Sequence, residues 1–278
     1  MALRGEKMLH EVKLYFYFIR VYVSAMTEYR FAFLVETISN MINIGSFYVF
    51  LDVVFKQVSS ISGWSYYEAL FLVSLNWLCT SLSGFFFWRP MISLSQSIKD
   101  GSFDSFLIRP LRPLKFCIFR QFQYTFVGRL LLALYFLVDS ILHLEMGWNA
   151  GKLLYFFLII CSGAMIHGAL LILMGSVSFW VIDNSEMMNL ITSYDGVRTL
   201  IDFPLSAFSK WIQVLFTFVV PYAFVNYYPS VYLLGKEAEY TIFGSWMVYL
   251  PPMAALILWA AAILVWSAGL RSYEGAGA

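Results

Sequence analysis

The chain has 278 residues, of which 60% are hydrophobic, 19% aromatic and only 13% charged, with a formal net charge of +1. A soluble domain carries about 25% charged residues, so this composition excludes a water-soluble globular fold and points to a membrane domain. A charge of +1 gives no argument for a nucleic-acid partner, which requires a clustered basic face.

Residues 1–13 mix both charge signs and contain no uncharged apolar core ending in a small-residue cleavage site, so a cleaved signal peptide is not expected. From residue 9 to 23, Leu9, Val12, Phe16, Ile19 and Val23 recur at helical spacing among Glu11, Lys13 and Arg20. That pattern suits a helix lying in the membrane interface, with a cytosolic extension of the first span as the other reading.

Apolar runs near the 20-residue length that crosses a bilayer follow at 31–55, 66–88, 116–142 and 153–182. The fourth has 30 residues without a formal charge. At 1.5 Å per residue it would measure about 45 Å, so it must tilt, kink at Gly163, Gly168 or Gly175, or protrude. The fifth stretch, 211–234, contains Pro221 and Pro229, each of which breaks the helical ladder. A broken or re-entrant segment on the external side, spanning 221–245, is therefore expected, and Pro251 and Pro252 open a sixth span that Arg271 closes.

The expected fold is an all-α polytopic membrane protein, about six transmembrane helices with an N-terminal interfacial helix in segment 1–29, forming one domain over 1–278. Placing both termini in the cytosol puts fourteen Lys and Arg inside, Arg198 and Lys210 among them. Only Lys56, Lys152 and Lys236 then lie outside, with Arg129 within a span, and this asymmetry sets the orientation.

Candidate chemistry is sparse. His10, His143 and His167 have no metal-spaced partners, Cys79, Cys117 and Cys161 lack paired spacing, and no G-x-x-x-x-G-K-[ST] phosphate loop occurs. No catalytic residue and no metal site is assigned, and an enzyme activity is not expected. His167 reads as a polar contact between helices or as a pathway residue. Glu36 and Arg129 lie inside spans, where ionisable groups are costly; they either pair between helices or snorkel to the nearer interface. Asn40 and Asn43 read as interhelical hydrogen-bonding residues.

The loop 89–115 between the second and third spans is basic yet rich in apolar side chains: Leu94, Ile98, Phe103, Phe106, Leu107 and Ile108. Asp100-Gly101 is a turn signal. Such a loop either lies on the membrane surface or docks a short helix on a partner.

Three segments carry a family resemblance: I-K-D-G-S-F-D-S-F-L-I-R-P-L in this loop, V-V-P-Y-A-F-V-N-Y-Y-P-S-V-Y-L-L-G at 219–235, and W-S-A-G-L-R-S-Y-E-G-A-G at 266–277. With them the chain resembles the permease subunits of bacterial ATP-binding cassette transporters of the type-2 exporter class. The resemblance implies an exporter permease in the bacterial cytoplasmic membrane. It implies a second permease, identical or homologous, and two cytosolic ATPase subunits that hold the ATP and Mg; this chain itself carries no cofactor. It further implies that the loop couples to the ATPase through Ile98, Lys99, Asp100, Gly101, Phe103, Asp104 and Phe106. Pro221, Tyr222, Phe224, Tyr227, Tyr228 and Pro229 would build an aromatic external lid. The competing classes are an intramembrane lipid-modifying enzyme and a stand-alone channel.

Overall fold

The computed structural model describes residues 30–181, 183–192, 198–241 and 243–273. The expected interfacial helix at 9–23 lies outside them. Among the described residues there is no strand, and Ile61 and Trp64 make one isolated antiparallel bridge.

Helix α1 (Arg30–Gln57) is followed by α2 (Tyr66–Ile92), whose start is fixed by the Glu68 carboxylate accepting the Ser65 backbone N–H at 2.8 Å. The loop holds α3 (Leu94–Lys99) and α4 (Asp104–Leu107). Beyond it come α5 (Pro113–Arg120), α6 (Phe126–His143) and α7 (Ala150–Ser176). Asn149 caps α7, its side chain accepting the Lys152 N–H at 2.8 Å. Four short helices follow: α8 (Ser185–Thr192), α9 (Arg198–Ile201), α10 (Lys210–Val214) and α11 (Tyr227–Leu233). α12 (Glu237–Tyr240) leads to the last crossing, α13 (Pro251–Ser272), with proline in its first turn.

Five of these helices are long and apolar enough to cross a membrane, and a bent pair, Lys210–Val219 with Tyr222–Leu233, brings the number to as many as six. α2 is the centre: every residue from Ala69 to Ser81 is buried, as expected of a helix apolar on all sides. α6 and α7 flank it, α1 packs on the outside of α6 and α13 on the outside of α7. Small residues set the close approaches, because only they let helix backbones meet without displacing neighbours. A Cβ on Gly163 would lie 2.7 Å from Cys79 Sγ, and one on Gly84 2.7 Å from Phe126 Cζ.

The structure departs from the sequence-based spans in three places. The third span is broken: α5 ends at Arg120 and α6 begins at Phe126, with Gln121, Gln123 and Thr125 in the gap. The Gln123 N–H donates to the Phe85 carbonyl at 3.0 Å and its side chain to Thr125 Oγ1 at 2.6 Å, so the break is satisfied by α2 and by itself. The fourth helix stops at Ser176, and a 3-10 turn at Val177–Phe179 takes up the excess length.

The third departure concerns Arg198 and Lys210, which the charge count placed beside the loop. Asn184 donates to the Met174 carbonyl near the end of α7 at 2.8 Å, whereas Asp202 accepts from Asn76 (2.7 Å) and from the Trp77 N–H (3.0 Å), ten residues into α2. Asn184 therefore lies at the loop end of the bundle and Asp202 at mid-depth, with Arg198 four residues before Asp202 at the start of α9. Gln213, one turn beyond Lys210, donates to the Leu205 carbonyl at 3.2 Å. Leu205 shares a small cavity with Tyr227, whose ring meets Trp64 at the opposite, far end. Neither cation belongs to the loop end, yet removing both leaves the charge bias strongly one-sided.

The Gly163 contact gives a first test. Gly163→Val should destabilise the protein by about 1–3 kcal/mol through overpacking against Cys79, read as a lower midpoint in thermal unfolding of the detergent-solubilised chain.

Candidate functional site

At the loop end, Gly101 adopts a positive φ of 71°, a conformation that glycine takes without strain. The Asp100 side chain accepts the Ser102 N–H at 2.9 Å, and hydrogen bonding from Ser102 holds that carboxyl below its ordinary range. The turn closes with the Phe103 N–H donating to the Ser97 carbonyl at 2.9 Å, and the chain folds back on itself. Phe103 thereby enters a nest of rings at centroid distances of 5.1 Å from Tyr273, 5.2 Å from Phe106, 5.4 Å from Phe179 and 6.4 Å from Trp266. The Tyr273 hydroxyl donates to Asp104 Oδ1 at 2.8 Å. Lys99 donates to Asp183 at 2.9 Å, and hydrogen bonds from Ser185 and from Lys99 hold the Asp183 carboxyl well below the usual range.

This geometry corrects the expected anchors. Phe103 is 0% exposed and Phe106 3%, both buried in their own chain instead of standing ready for a partner. Lys99 and Asp104, expected to set register by charge, already have partners in Asp183 and Tyr273. Ile98 is half-buried beside a hollow that also includes Trp180 and Tyr273. What the loop presents outward is Asp100, Ser105, Leu107 and, at 83% exposure, Ile108.

A second assembly lies at mid-depth. The Arg129 guanidinium lies over the Trp77 ring at 4.3 Å, while the same indole donates its N–H to Asp202. The Tyr48 hydroxyl meets Ser74 Oγ at 3.2 Å, and Asn226 donates to the Ile201 carbonyl at 2.8 Å. His167 is fully buried, with Trp88 at 6.4 Å and Tyr222 at 6.0 Å between ring centroids. Glu36 is exposed, and no ion pair among the described residues joins it to Arg129. Asn40 donates to the Glu36 carbonyl of its own helix at 2.9 Å and Asn43 is exposed, so the expected interhelical bonds are not formed by either among the described residues. Nor do any three His, Cys, Asp or Glu side chains among the described residues converge as a metal site would require.

At the far end the chain turns through 78° between Val219 and Tyr222. Pro221, Tyr222, Phe224, Tyr227, Tyr228 and Pro229 are all buried in the resulting helical hairpin. Thr217 and the Tyr228 hydroxyl meet at 3.2 Å across its two limbs, and the Tyr227 hydroxyl donates to the Tyr240 carbonyl at 2.9 Å. Two lysines fasten it to the bundle. Lys236 pairs with Glu68 at 2.7 Å and donates to the Gly63 carbonyl at 3.0 Å, and Lys152 donates to the carbonyls of Met146 (2.6 Å) and Leu233 (3.1 Å).

Sequence reasoning missed Asp202, Phe179, Tyr273 and the Lys236–Glu68 pair. A signal for Tyr273 existed: the loop and C-terminal segments were both singled out, and the structure brings Phe103 and Asp104 of one against Trp266 and Tyr273 of the other. Asp202 had no comparable signal, because its donors are 126 and 125 residues away.

The family model described as ABC-2 family transporter protein matches residues 18–277. No curated protein and no solved structure is significantly similar to the chain.

Because Phe103 is enclosed by rings from its own loop and from two other segments, Phe103→Ala should cost about 3–5 kcal/mol, as large-to-small changes of buried aromatics do. Tyr273→Phe removes one hydrogen bond and should cost only about 1 kcal/mol. Protease nicking of the loop in the solubilised chain would reveal both, with Phe103→Ala nicked far faster than Tyr273→Phe.

Proposed function

We propose, since the chain belongs to the ABC-2 family of transporter proteins, that it is the permease subunit of an ATP-driven exporter, working beside a second permease and powered by two separate ATPase subunits at its loop end. The observation that carries this reading is the construction of the loop. A bilayer-embedded chain is driven by a cytosolic motor only through a contact that does not yield. Phe103 and Asp104 fasten this loop to Phe179 beyond α7 and to Trp266 and Tyr273 of the α13 end, and Lys99 fastens it to Asp183 ahead of α8. A push on the loop is therefore delivered to several crossings together.

In this reading Phe103 and Phe106 stiffen the lever, and Leu107 and Ile108 are the apolar side chains that meet the ATPase, flanked by Asp100 and Ser105. Exposed apolar residues on a short helix are what a hydrophobic groove takes. The far-end hairpin then acts as the lid of the pathway, with Pro221 and Pro229 setting its bends and its tyrosines lining its packed interior.

Two measurements test this. Leu107→Asp with Ile108→Asp should leave thermal unfolding unchanged while lowering ATPase retention about tenfold or more, the effect of losing a buried interface anchor. Retention and transport both unchanged would overturn the docking surface, and purification without any stoichiometric ATPase would favour a channel or a lipid-modifying enzyme. For orientation, Cys161, exposed in the chain, is first replaced by serine. Single cysteines at Ser60, Asn149 and Glu237 should then react with an impermeant thiol reagent applied to intact cells, and one at Ser102 should not. Labelling at Ser102 would reverse the topology.

A further inference from the structure

At the loop end a groove of about 390 Å³ opens between α1 and α2, lined by Glu36, Trp88, Arg89, Ile92, Ser93 and Gln123. Arg89 is three residues from the end of α2, and Glu36 lines the same groove. By the helical rise Arg89 lies about 5 Å from its helix end, so the groove sits at the depth of lipid headgroups and not of the hydrocarbon centre. Both side chains are exposed, and neither has an ion-pair or hydrogen-bonding side-chain partner among the described residues. An acid and a base thus face one groove without engaging each other. Beside the two charges, Ile92 and Trp88 line the groove with apolar surface, and Trp88 supplies the aromatic wall common at the membrane–water boundary.

The charges select the ligand. A free anion would be attracted by Arg89 and repelled by Glu36, and a simple cation would meet the reverse. A zwitterion with its phosphate on Arg89 and its ammonium on Glu36 satisfies both. If its acyl chains start against Trp88 and Ile92, the polar and apolar parts of the groove are used together. We propose that this groove binds a phospholipid whose headgroup is zwitterionic and carries a primary ammonium. A primary ammonium donates hydrogen bonds to the Glu36 carboxylate, which a trimethylated one does not. The bound lipid would act as a wedge between α1 and α2, because α1 rests chiefly on α6 and has little direct hold on α2. This inference depends on the chain being a membrane protein and is independent of the ATPase, the second permease and the direction of transport.

The experiment uses the full chain with whatever subunits accompany it, equilibrated in nanodiscs of equal parts phosphatidylethanolamine, phosphatidylcholine and phosphatidylglycerol. The chain is then extracted into mild detergent and its retained lipids are measured by mass spectrometry. Phosphatidylethanolamine should be retained about tenfold over the other two, the factor set by one charge-assisted hydrogen bond. Glu36→Gln should bring it down to the level of phosphatidylcholine, and Arg89→Gln should lower both. Glu36→Asp and Arg89→Lys, which keep the charges, should retain the preference. Equal retention of the three lipids by the unaltered chain, a preference for phosphatidylglycerol, or undiminished retention in both glutamine variants would each overturn the proposal. Should a glutamine variant fail to fold, the headgroup preference of the unaltered chain still decides.

Discussion

Irregular backbone inside a bilayer has no water to bond to, so each break in a helix must find its donors and acceptors within the protein. This chain breaks its helices at 121–125, between α9 and α10, and at 220–221, and the partners come largely from α2 and from polar side chains beside the breaks. The Gln123 N–H reaches the Phe85 carbonyl, Asp202 takes the donors of Asn76 and Trp77, and Asn226 and Gln213 donate to the carbonyls of Ile201 and Leu205. The burial of α2 follows from this role, since a helix that serves several broken neighbours must be enclosed by them. The close approaches at Gly163, Gly168 and Gly84 let them come near enough.

The same arrangement connects the two ends. The loop is held to the segment before α8 by the Lys99–Asp183 pair, that segment reaches Asp202 at mid-depth, and Asn226 of the hairpin holds the carbonyl just before Asp202. In the proposed permease, a displacement of the loop has a contiguous route to the hairpin through this run of contacts. α2 supplies a parallel route, because Glu68 at its far end holds Lys236 and Ser93 at its loop end donates to Gln121 Oε1 at 3.0 Å. The contacts establish packing continuity, and the transmission of force along them belongs to the proposed function.

Much of the fold was legible because spans announce themselves by length and hydropathy. α1, α2, α7 and α13 begin or end within a few residues of the runs read from sequence, and Pro221 marked the bend at 220–221. The third span misled because Gln121, Gln123 and Thr125 are three uncharged polar residues in an apolar run, too weak a signal to interrupt a hydropathy window. The climb to Asp202 misled for the opposite reason: a polar, charged stretch reads as a loop unless its distant donors are known. In the loop 89–115 the apolar residues are evident from the sequence but their direction is not. Leu107 and Ile108 differ from Phe103 and Phe106 in exposure, and only the positions of Phe179, Trp266 and Tyr273 decide which of them turn inward.

Arg129 shows how charge is carried at mid-depth without a cost that would prevent folding. An isolated ion in hydrocarbon is expensive, but its guanidinium faces the Trp77 ring, and the edge of that indole donates to Asp202. The ring is thus placed between a cation on its face and a carboxyl oxygen at its N–H, both favourable to an aromatic quadrupole with a negative face and a positive edge. The arrangement ties α6, α2 and the end of α9 together at one height. Removing one member of such a buried polar group leaves its partners uncompensated, which costs more than the intact group adds to stability. The membrane sharpens that specificity, because a slip of α6 along α2 by one turn would carry Arg129 away from Trp77 and leave Asp202 beside an indole no longer opposed by a cation.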